Sequence, residues 1–113
     1  MIIAAYYSEE PHFLMEINEI PLTPTNQQFT IKLSDTVWQF RLIWRDSAGW
    51  VLDMLTVDNQ PVIQGIPLIV GENLLAQYSH LITEGKLALL SDEESDINAD
   101  TLGKTVKLYW ITD

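Results

Sequence analysis

A chain of 113 residues is long enough for one packed core and too short for two. Hydrophobic residues make up 47% and charged residues 19%, and no apolar run approaches the roughly 20 residues of a membrane-spanning helix, so a soluble globular protein is expected. Six Lys and Arg against sixteen Asp and Glu leave a formal charge of -10, which repels phosphate backbones and anionic lipid, and the absence of cysteine excludes disulfides, thiolate metal sites and thiol nucleophiles.

Residues 1–12 mix aromatic and acidic side chains and end in Pro11-His12. The opening Met1-Ile2-Ile3-Ala4-Ala5-Tyr6-Tyr7 has no basic residue and its apolar run is short, so it is expected to be mature sequence and not a secretory signal. Two readings fit it: an extended arm that docks on a neighbouring subunit, or an edge strand that closes the chain's own sheet. Residues 13–113 are then expected to form one domain. Residues 13–17 suit a short strand, and Pro21 and Pro24 bracket a connection that cannot be helical.

Residues 28–33 alternate cleanly, with Phe29, Ile31 and Leu33 on one face and Gln28, Thr30 and Lys32 on the other, as a sheet with one wet side requires. Ser34-Asp35 is a tight turn. In residues 36–45, Trp38, Phe40, Leu42 and Trp44 point one way while Gln39, Arg41 and Arg45 point the other. Asp46-Ser47-Ala48-Gly49 is turn chemistry, after which Trp50, Leu52 and Met54 resume the alternation to complete a hairpin.

Residues 61–70 are rich in Val and Ile, punctuated by Gly65, Pro67 and Gly71, and then the period changes. Leu74, Leu75 and Tyr78 recur at helical spacing behind a cap at Asn73, which predicts a short helix over residues 73–81 plugging one end of the fold. Residues 86–91 form a strand, residues 92–100 an acidic loop, and residues 104–111 a last strand with Val106, Leu108 and Trp110 on one face. About seven short strands and one helix argue for an all-β fold, a small antiparallel barrel or sandwich.

Few of these residues suggest chemistry. Asp92, Glu94, Asp96, Asn98 and Asp100 put an oxygen at every second position, the spacing of a calcium loop, but Ile97 and Gly103 stand where an EF-hand has Gly and Glu. The alternative is a solvated loop. Trp44 and Trp50 flank the hairpin turn and either pair across the strands or form a platform that binds a sugar or stacks on a base. Asp53 lies in an apolar strand, as a buried partner of Arg41 or Arg45 or as a general acid or base without a companion. Only His12 and His80 are present, so a zinc site of several histidines is impossible. No cofactor is expected.

Beyond these residues, the chain resembles the phage baseplate plug proteins of contractile-tailed phages. The match runs through Ile20-Pro21-Leu22, Asn26-Gln27 and Phe29, then Trp44, Trp50 and Leu52-Asp53. It continues through Gly65-Ile66-Pro67-Leu68 and Gly71, Asn73-Leu74-Leu75, Gln77-Tyr78, Leu102-Gly103 and Leu108-Tyr109. It covers residues 16–110; residues 1–12 precede the usual start, and residues 78–85 replace a glycine-richer turn. The resemblance implies a structural virion protein that closes or lines the baseplate hub at the end of the tail tube. Pro61, Gly65, Pro67 and Gly71 would then shape the backbone, and Phe29, Trp44, Trp50, Leu74, Leu75 and Tyr78 would fill the domain, with Pro21, Asn26 and Asp53 as further structural positions of the motif. Its implied partners are hub, tube and spike proteins and further copies in a ring, with phage DNA passing nearby, in the virion and, during assembly, in the host cytoplasm. The alternative is a calcium- or glycan-binding β module of a receptor-binding assembly.

Overall fold

The computed structural model describes residues 2–7, 14–71, 73–82, 84–92 and 97–112. Eight strands appear among them: β1 Ile2–Tyr7, β2 Leu14–Ile20, β3 Gln27–Leu33, β4 Thr36–Trp44, β5 Trp50–Leu55, β6 Pro61–Pro67, β7 Lys86–Ser91 and β8 Val106–Thr112. They make two antiparallel sheets. The meander sheet, in order β3-β4-β5-β6, is built from consecutive hairpins. The terminal sheet, β1-β2-β8-β7, is built from the two ends of the chain.

Alternation puts Trp38, Phe40 and Leu42 of β4 and Trp50, Leu52 and Met54 of β5 on one face of the meander sheet. Leu87 and Leu89 of β7 and Val106, Leu108 and Trp110 of β8 do the same for the terminal sheet. The two faces share a single apolar core, so the fold is an open sandwich, with no closed barrel. Two indoles tie the sheets at their ends: the Trp50 ring N–H donates to the Asn98 carbonyl at 3.0 Å, and that of Trp110 to the Ser34 hydroxyl at 3.2 Å.

The edges are finished differently. After β6 the chain crosses to β7 and runs along its outer side as a strap: the Gly71 N–H donates to the Leu89 carbonyl and the Leu74 N–H to the Leu87 carbonyl, both at 2.8 Å. Across the fold, β1 is the edge strand of the terminal sheet, paired with β2, and β3 is the edge of the meander sheet.

The strap corrects one expectation. In place of a helix over residues 73–81 there is a 3-10 turn at Ala76–Tyr78. A nine-residue helix is marginal on its own, and the backbone at Asn73 is drawn instead into a bridge with Ala88 of β7. Leu74 and Leu75 still reach the core, as neighbours in an irregular segment. Of the other turns, Asp46–Ala48 is a second 3-10 turn.

Candidate functional site

Of the residues singled out by sequence, Trp50, Asp53, Gly65 and Pro67 lie on β5 and β6. Between the pairs Leu52–Ile66 and Met54–Ile63, β5 has one residue and β6 has two, so the ladder slips by a bulge. Gly65 takes up the slack with a φ of 75°, a conformation L side chains disfavour. Its N–H finds its acceptor in the Asp53 carboxylate, at 2.8 Å. The other Asp53 oxygen accepts from the Arg41 guanidinium at 2.7 and 3.1 Å. Asp53 is buried, so the carboxylate needs both partners, and with both its capacity goes to shaping the bulge.

The other polar motif residue acts in the same way. Asn26, before β3, accepts through Oδ1 from the Trp44 N–H at 2.8 Å, fastening the entrance of β3 to the end of β4. Pro21, exposed, starts the connection out of β2, and Pro67, also exposed, closes β6. Trp44 and Trp50 do meet, edge to face, with centroids 5.5 Å apart at 65°. Trp50 is buried and Trp44 half-buried, so the pair's geometry is that of a packed contact more than of a flat platform. Phe29 packs tilted on Phe40 at 5.9 Å, and Tyr78 rests half-buried against the core.

Beside this cluster a shallow cleft of about 180 Å³ lies among Ile66, Pro67, Ile69, Asn73, Leu74 and Gln77, well under the size that encloses a small organic ligand. Of the acidic loop, Glu94 and Asp96 lie outside the described residues. Asp92 and Asp100 are exposed, and the Asn98 side-chain oxygen accepts from the Asp100 N–H at 2.8 Å. Among the described residues no three metal-ligating side chains converge.

Two features escaped the sequence reading. A polar ladder crosses the outer face of the meander sheet: Gln28 donates to Gln39 and to Asn59, both at 3.1 Å, and Gln39 donates to the Val57 carbonyl at 3.3 Å. It folds the β5–β6 turn over Leu55, which is 4% exposed on a face expected to be wet. Alternation places Gln28 and Gln39 on the outer face of their strands, but the cross-strand register that joins them to each other and to Asn59 is not legible in the sequence. Tyr109, on the outer face of the terminal sheet, has its pKa raised above 10.0, first by burial and then by the Glu19 charge.

The assembled residues are turn formers, bulge partners and core. A comparison with protein families agrees: the sequence model for the cyanophage baseplate Pam3 plug gp18 matches residues 17–113, which leaves β1 and the start of β2 outside the matched region. No curated protein matches the chain. A match over that much of the sequence shows the family, so the chain belongs to the cyanophage baseplate Pam3 plug gp18 family and is a structural protein of the phage baseplate.

Proposed function

We propose that this chain closes or lines the tail-tube end at the baseplate hub until ejection, packed against hub, tube and spike proteins and against copies of itself. The observation that carries the reading is the family match over residues 17–113. Two further features support it. The polar motif residues are spent on backbone geometry, which suits a role of shape and contact with no catalytic step. The formal charge of -10 suits a wall past which DNA slides without sticking. Assembly takes place in the host cytoplasm, and the chain ends in the virion.

The test is a phage from which the gene is deleted. Tails are expected to stop short of complete baseplates or to leak DNA, and complementation with the full chain restores them. Complete, infective particles at normal yield without the chain would overturn the reading. Deleting residues 2–12 alone asks whether β1 belongs to the contact or serves only its own sheet.

A further inference from the structure

The sheet edges are not equivalent. β7 is covered by the strap, β6 begins and ends in proline and carries the Gly65 bulge, and β1 shifts register between Ile2 and Ala4. β3 is different: seven residues in unbroken register with β4, without proline or bulge, and with no second strand beside it among the described residues. Because Ser34-Asp35 is a two-residue turn, Leu33 and Thr36 form a hydrogen-bonded pair, and the N–H groups of Gln28, Thr30 and Lys32 point away from β4. On the core side Phe29 and Ile31 pack against the core yet stay half-exposed, since no further strand covers them.

We propose that β3 is a self-pairing edge: β3 of a second copy, turned about a twofold axis through Thr30, adds to it antiparallel and joins two meander sheets into one of eight strands. Three features select a second copy. In the register centred on Thr30, Phe29 meets Ile31 of the other copy and the reverse, so each half-exposed residue is covered by the other. Gln28, Thr30 and Lys32 map onto one another, so every outward N–H finds a carbonyl and Lys32 faces a neutral glutamine. Residues 20–34 contain one lysine and no acid in a chain of net charge -10, so copies meet here without the acid-on-acid repulsion found elsewhere. A twofold contact closes on itself, so a ring would need a second, different contact. This pairing supplies the self-contact of the plug reading and rests on that reading only for its setting in the tail.

The chain has no cysteine, so Thr30→Cys introduces a sole thiol, and a hydrogen-bonded antiparallel pair sets the two Cα atoms about 5.5 Å apart, within disulfide range. T30C is expected to oxidise to a covalent dimer in native buffer and in tail particles. K32C, opposite glutamine, is expected to stay reduced. Sedimentation should give a dimer for the unaltered chain and a monomer for T30E, whose two carboxylates would face each other, with the far-UV spectrum unchanged. An unaltered chain that sediments as a monomer, or a T30C thiol that links to another baseplate polypeptide, would overturn the pairing. Particles that contain the chain but yield no T30C dimer would overturn it too and leave the plug reading standing. A dimer in solution with the chain absent from particles would do the opposite.

Discussion

Asp53 shows how a single charged side chain can be structural. It sits where a ladder hydrogen bond is missing and replaces it, with Arg41 balancing the charge. Asp53→Ala would strand the Gly65 N–H and the guanidinium together. Because the Arg41 side chain is 37% exposed and can turn to water, the expected loss is about 1–3 kcal/mol by chemical denaturation, below that of a fully buried pair. Asp53→Asn keeps one acceptor and should cost less. A loss under about 0.5 kcal/mol for the alanine variant would mean that the bulge holds without the carboxylate.

Tyr109 gives a pH dependence of known sign. Its folded pKa lies above the unfolded value near 10, raised by burial and by Glu19. Between the two values the unfolded chain has lost the phenol proton and the folded chain keeps it. The contribution to stability is therefore complete below pH about 10 and falls away as pH rises through the folded value. Tyrosinate absorbance should show one phenol titrating late, and Glu19→Gln should move it downward. An unmoved titration would remove Glu19 as a cause.

At the scale of elements, the strap decides which edges remain available. Asn73 anchors it twice, its Oδ1 accepting from the Leu75 N–H at 3.1 Å and from the Leu87 N–H at 3.3 Å. Asn73→Ala should cost about 1 kcal/mol and speed deuterium uptake at the Leu87 amide, with β3 and β4 amides unchanged. Uniform acceleration across both sheets would instead point to global destabilisation.

The strap also marks the limit of what the sequence made legible. The strands at residues 28–33 and 36–45 are readable because one face of each meets a core and the other is more open, which leaves a period of two. In residues 50–55, Trp50, Leu52 and Met54 keep that period although Asp53 and Leu55 on the opposite face are buried as well. Leu74, Leu75 and Tyr78 fit a helix by spacing, but the same positions fit an irregular segment held to a strand edge. Nothing local says that β7 would offer that edge. The Asp53–Arg41 pair was within reach, since both lie in adjoining strands. The bond to Gly65 was not, because a bulge is a property of register between β5 and β6.

For the whole molecule, the two sheets differ in how the chain builds them. β3 to β6 follow one another, so each hairpin of the meander sheet closes over a short loop. The terminal sheet joins β2, near the start, to β8, at the far end of the sequence. Contacts of that range are slow to form, because ordering the intervening chain costs entropy before any contact repays it.

That division has a consequence for synthesis. The meander sheet can assemble once Pro67 has left the ribosome, whereas β2 has no inner neighbour until Val106 and the residues after it emerge. A message cut short before that point yields half a sandwich with its oily side bare, the kind of product that chaperones hold and proteases remove. The finished form therefore carries its own check that translation ran through β8.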